Sequence, residues 1–197
     1  MREKLSYAQR QRFLLILFLA ALVLTIVVAA ATATTLAPLS FAELARSATA
    51  VARLRCIGAT SDMSGGEIWT LTQFDVLSRE KGSLPERVVI RMPGGHAGGL
   101  RSHVDGVPEF RPGEEVYLFL WNREGEPYRV LGWTQGTFRI FRDALSGAEM
   151  VTQDSAATPV FDPKAKTFRR EGIARMGLEN FETKLRKAIA AGRGIEQ

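Results

Sequence analysis

The sequence predicts a mainly β protein: a small antiparallel barrel of the OB type, with a short helix before it and an amphipathic helix after it. Three observations carry this. Strand-like runs follow one another between residues 50 and 153, separated by glycine- and proline-containing turns. Glycines recur inside those runs, where a sheet that closes on itself must bend. Helical spacing of apolar residues occurs only at the two ends of the region.

The elements can be read in order. In "LSFAELARSA", Ser40 sits three residues before Glu43, the spacing at which each side chain satisfies the other's backbone N–H. Leu39 and Leu44 hold the staple positions, so a helix is predicted from Phe41 to about Ala48. "AVARLRCIGA" alternates, with Ala52, Leu54 and Cys56 on one face and Arg53 and Arg55 on the other. "IWTLTQFDVLS" is rich in residues that fit a pleated surface, and "SGGE" before it supplies a turn, so the two runs are expected to form a hairpin. "RVVIRM" then places Val88, Ile90 and Met92 on one face. "VYLFLW" is apolar on both faces, as a central or helix-covered strand must be. "YRVLGWTQGTFRIFRD" reads as two strands, with Gly132 and Gly136 as bulges or bends, and "SGAEMVTQD" as a strand that closes the sheet. Residues 155–176 read as an irregular connector, which divides a 39–154 barrel from a 177–192 helix. That helix carries Leu178, Phe181, Leu185 and Ile189 as an apolar stripe and Gly192 as its stop.

The first 33 residues follow a different logic. A positive "MREKLSYAQRQR" precedes an apolar run from Phe13 to Ala31, and small residues at Ala31 and Ala33 follow. This is the pattern of a signal peptide. The run is also long enough for an uncleaved N-terminal anchor, and both readings place the remainder outside the cytoplasm, secreted, periplasmic or held at the inner membrane. The membrane is expected to be met only through this segment. Cys56 is the only cysteine, so no internal disulfide is possible, and its place in a strand predicts a small buried hydrophobe. The net charge of +5 lies in the two ends. Residues 1–33 contribute +3 and 163–197 contribute +5, leaving residues 34–162 at −3. A nucleic-acid partner would need a basic groove in that central region, so none is expected.

Chemistry concentrates in "MPGGHAGGL", residues 92–100. Its glycines fit neither G-x-G-x-x-G nor a P-loop, which excludes a nucleotide cradle, and no cofactor is expected elsewhere. His96, His103 and Asp105 could give a metal three ligands, the basis of an alternative reading as a metal-dependent hydrolase. The other reading is of two exposed histidines beside a glycine turn. No serine lies in a G-x-S-x-G elbow, and Glu114 and Glu115 would face opposite sides of a strand. Tyr117, Phe119 and Trp121 alternate onto one face, with Trp133 nearby in sequence. Together with His96 they form the predicted ligand surface, unless the C-terminal helix covers it.

The succession "SATAVARLRCIGA", "EIWTLTQFDVLSREKG", "VVIRMPGG", "FRPGEEVYLFL" and "YRVLGWTQGTFRI" resembles a recurrent pattern in uncharacterised exported bacterial proteins, over residues 39–142. It is more weakly similar to the OB barrel of netrin-like domains, including tissue inhibitors of metalloproteinases, in which a strand pair also ends at "KG". That resemblance implies an OB fold and protein binding, including a protease-binding alternative. Those inhibitors place an N-terminal cysteine on the protease zinc and use several disulfides, whereas this chain has one internal cysteine. The function predicted from the sequence is an exported, non-enzymatic module binding a protein, peptide or glycan.

Overall fold

Alternation and turn chemistry produce the first half of the fold as expected. A computed structural model describes residues 38–156, 160–162, 166–169 and 172–193, all within one unit, Leu36–Gln197. Helix α1, Phe41–Ser47, opens on the capping box: the Glu43 N–H donates to Ser40 Oγ at 3.2 Å and the Ser40 N–H to Glu43 Oε2 at 2.8 Å. Strands β1 (Ala50–Ser64) and β2 (Glu67–Lys81) form a long hairpin around Gly65 and Gly66, both at positive φ. Register shifts at Val51/Ala52, Arg53/Leu54 and Cys56/Gly58 are the bulges that curl it. Strand β3 (Arg87–Pro93) follows β2 antiparallel, burying Val88, Ile90 and Met92 as the alternation predicts.

The small hairpin β4 (Gly95–Ala97) and β5 (Leu100–Ser102) comes next, turning at Gly98 and Gly99 with φ 58° and 75°. Positive φ at both turn positions is what a type I′ two-residue hairpin loop requires, and glycine adopts it without strain. Strand β6 (Glu115–Trp121) is central, with Val116 to Leu120 all buried. The remaining strands are β7 (Arg129–Val130), β8 (Thr137–Arg142), β9 (Glu149–Gln153), β10 (Val160–Asp162), β11 (Thr167–Arg169) and β12 (Met176–Gly177). Helix α2, Leu178–Arg193, ends the described chain.

Among the described residues eight strands share one sheet, ordered β12-β9-β8-β6-β1-β2-β3 with β7 beside β6; β10-β11 and β4-β5 are separate pairs. The sheet does not close into the expected barrel. The reason is competition for the free edge of β6: β8 pairs with Val116 to Leu118, leaving β7 only Leu120 and Trp121. Across from it, β3 meets the chain before β7 through one parallel bridge, Ile90 to Tyr128. Nor does β9 close the sheet, because β12, at the boundary between the expected connector and the expected helix, pairs outside it. The strand bends expected at Gly132 and Gly136 are instead a 3-10 turn, Trp133–Gly136, whose N-cap Gly132 is left-handed.

Two cores result, one on each face of β1 and β6. On one face Ala52, Leu54, Cys56, Val116, Leu118 and Leu120 meet Phe74, Val88, Ile90 and Met92. On the other, Val51, Tyr117, Phe119 and Phe138 meet Leu44 of α1 and Phe181, Leu185 and Ile189 of α2. The stripe read from the sequence is therefore the docked face of α2. Gln153 ties the polar segment before α2 to the sheet, donating to the Gln135 carbonyl at 2.5 Å and accepting from the Ile173 N–H at 3.0 Å. The expected export segment lies outside the described residues; among the described residues no helix is long and apolar enough to cross a membrane.

Candidate functional site

The inward face of β2 changes character along its length. Near the sheet centre it is apolar, at Phe74; toward the hairpin it turns to Thr72 and Thr70. Here the first core opens into a cleft of about 560 Å³, in the size range of small-ligand sites. Met92, Val107 and Phe110 supply apolar lining, and Phe110 is fixed edge-on to Phe74 with ring centroids 5.1 Å apart. The β4-β5 hairpin forms one wall, and residues 103–110 form another.

Those walls are tied down by the backbone. The Gly94 N–H donates to the Ile68 carbonyl at 2.8 Å, and Thr70 Oγ1 donates to the Gly94 carbonyl at 2.7 Å. Thr70 also shares a 2.9 Å hydrogen bond with Ser61. A side chain at Gly95 would run into both hydroxyls, so glycine there lets the hairpin lie against β1 and β2. Residues 103–110 are held by the Thr134 N–H on the Gly106 carbonyl, 3.1 Å, and by Arg139 Nη2 on the Glu109 carbonyl, 2.8 Å.

The polar groups in the cleft fall into two kinds. Thr72 is only 2 % exposed, but its hydroxyl lines the cleft and is open to it: it makes no hydrogen bond among the described residues and is not one of their enclosed, unpartnered atoms. A hydroxyl placed there can bond a ligand atom in place of water. At the rim, His96 and Arg101 are exposed and no acidic side chain pairs with them among the described residues. His103 is different: its Nε2 lies 3.2 Å from Asp105 Oδ1, both side chains largely in solvent.

The structure scatters the other expected ligand residues. Tyr117 and Phe119 are 1 % and 0 % exposed, built into the second core under α2, which corrects their reading as a ligand surface. Tyr117 donates its hydroxyl to Glu182 Oε1 of α2 at 2.8 Å, and burial, then that bond, pushes the phenol well above its ordinary range. Trp121 is half-buried beside Arg129, and Trp133 packs on the first core. Of the five, only His96 lines the cleft. The metal reading loses its geometry as well, because among the described residues no three His, Cys, Asp or Glu side chains gather closely enough to hold an ion. Ser102 lines the cleft between two histidines in sequence and makes no side-chain hydrogen bond to either.

Sequence reasoning missed Thr72, Arg101 and Phe110. A signal for Thr72 existed: threonine in the inward phase of a strand marks where a core stops being apolar. Cys56 is where the sequence puts it, 2 % exposed, and burial, with Glu114 nearby, raises its thiol pKa. Glu114 and Glu115 diverge as expected, Glu114 to Arg139 and Glu115 to Arg53 and Arg55. No family model matches the chain, and neither does any curated protein or solved structure.

Proposed function

We propose that this chain is an exported, non-enzymatic binding module that takes a short segment of a peptide or protein partner into the cleft beside the glycine hairpin. The observation that carries this is the Thr72 hydroxyl, open to the cleft and without a partner among the described residues, beside the apolar lining of Met92, Val107 and Phe110. Such a lining rewards an apolar side chain, the Thr72 hydroxyl rewards one hydrogen-bonding atom beside it, and Arg101 and His96 offer donors to a peptide carbonyl at the rim. Export is supported by the charge and apolar pattern of residues 1–33.

An OB-like arrangement is part of the same proposal. It is supported by the β1-β2-β3 meander, the β1-β6 and β6-β7 pairings, and the parallel bridge between Ile90 and Tyr128, beside which the Arg91 N–H donates to the Tyr128 carbonyl at 2.8 Å. These contacts trace the order of a five-stranded, partly open barrel, to which β8, β9 and β12 would be an extension.

Two readouts test the proposal. Titration with capped tripeptides bearing one large apolar side chain is expected to shift the Met92 and Val107 methyl resonances saturably. Thr72→Val keeps the shape, removes one hydrogen bond of about 0.5–1.5 kcal/mol and should weaken binding about two- to tenfold. Titration without saturable shifts, or an unchanged Thr72→Val variant, rejects the cleft. Fusing residues 1–36 to a reporter active only after export should give activity, and a reporter retained in the cytoplasm rejects the location.

A further inference from the structure

The opposite, outward face of β2 and β3 carries a second arrangement, separate from the cleft. Arg91 points away from the core, and its guanidinium carbon lies 4.0 Å from the Trp69 ring centroid. Arg129, on neighbouring β7, lies 5.6 Å from Trp69 and 5.5 Å from Trp121. Three arginines share this face, and two have acids: Arg87 with Asp75 at 3.0 Å and Arg129 with Glu126 at 3.3 Å. Arg91 has no acidic partner among the described residues. Arg129 Nε is in addition enclosed without a hydrogen-bond partner, so Glu126 offsets its charge from one side only.

We propose that this face, centred on Arg91, is a binding site for an extended acidic peptide segment whose carboxylate seats on the Arg91 guanidinium. Contact with the Trp69 ring holds the guanidinium over this face while its N–H groups have no acidic partner among the described residues, and a guanidinium edge matches a carboxylate in two parallel hydrogen bonds. The neighbours of Arg91 select for more than charge. Leu71 is its cross-strand partner and Val89 lies two residues along the same face, and they are 36 % and 43 % exposed. An acidic residue flanked by aliphatic ones meets all three. The segment is held by a preorganised cation, so the ordering that binding usually costs is already partly made in the free protein.

The test uses the full chain and a capped pentapeptide alternating leucine and glutamate, read by the Trp69 indole and by the Leu71 and Val89 methyl resonances. Saturable binding that maps to these groups and weakens as salt rises is expected. Replacing the peptide's glutamates by glutamine, or using Arg91→Gln, should each weaken it at least about tenfold. Arg91→Lys keeps the charge and the fold but loses the planar fork, and should weaken it as well. Equal binding of the glutamine peptide overturns the proposal, as does undiminished binding by both Arg91 variants. Inorganic phosphate or phosphatidylserine vesicles binding where the peptide does not overturns it too. Shifts confined to Met92 and Val107 would assign the peptide to the cleft, against this second site.

Discussion

Gly136 shows how much one residue can hold. Its φ is ordinary, so backbone freedom is not the reason for glycine; space is. A Cβ there would collide with the carbonyl of Leu131 and crowd Val130. Leu131 begins the turn that carries the chain from β7 to β8, and its colliding backbone oxygen cannot swing aside as a side-chain tip can. Gly136→Ala is therefore expected to destabilise by about 1–3 kcal/mol, the usual range for overpacking. At Gly99 a Cβ would meet nothing, so Gly99→Ala should cost only the strain of a left-handed residue, about 1–2 kcal/mol. Urea midpoints measure both, and a Gly136→Ala loss well under about 1 kcal/mol would show that the Leu131 carbonyl yields to the added atom. Residue-scale features set by local chemistry were legible: the Ser40–Glu43 box, the Gly98-Gly99 turn and the inward Cys56. Thr72 and Arg91 were not, because what matters in each is a missing partner, which depends on residues distant in sequence.

At the scale of elements, α2 is held by one side chain more than by the rest of its stripe. Phe181 is fully buried, with ring centroids 5.1 Å from Tyr117, 5.1 Å from Phe138 and 5.8 Å from Phe41, and so joins α1, β6 and β8. Phe181→Ala is expected to cost about 3–5 kcal/mol, since three aromatic neighbours cannot all relax into the space. A loss under about 1 kcal/mol in the denaturant midpoint, at unchanged slope, would mean that α2 is not docked in solution. The stripe was legible because period 3.6 survives any tertiary context, and the β1-β2 hairpin because period 2 does. The strands β10, β11 and β12 were not, since two or three residues cannot display a period; pairing, not pattern, makes them strands. Barrel closure was misjudged because periodicity says which face of a strand is buried and nothing about which neighbour takes its edge. On β6 that choice went mostly to β8.

For the whole molecule, ionisable groups set the pH range of the fold. Burial alone would raise the Glu115 carboxyl, but the hydrogen bonds from Arg55 and then Arg53 outweigh it, and its pKa lies below the ordinary range. Asp143 is lowered too, first by the Ser146 hydroxyl and backbone N–H and then by Arg175. A carboxyl whose pKa is lower folded than unfolded favours folding above its unfolded value, about 4, and loses that contribution as pH falls through the folded value. Tyr117 acts at the other end. Its pKa is raised by burial and by Glu182, so its contribution is complete below the unfolded value, about 10, and declines as pH rises beyond it. Stability should therefore be level between about pH 5 and pH 9 as far as these three groups decide it, with a limb on each side. Glu115→Gln takes from Arg55 its carboxylate and leaves Arg53 only Glu149, at 3.8 Å, and should lower the whole curve. The informative quantity is the slope: the acid limb should flatten, because one proton fewer is taken up on unfolding there, while the alkaline limb keeps its steepness. Tyr117→Phe should do the reverse. Urea unfolding from pH 2.5 to 11 measures both, and an acid limb just as steep in Glu115→Gln as in the parent would show that the ion pair with Arg53 and Arg55 does not govern the acid stability of the fold.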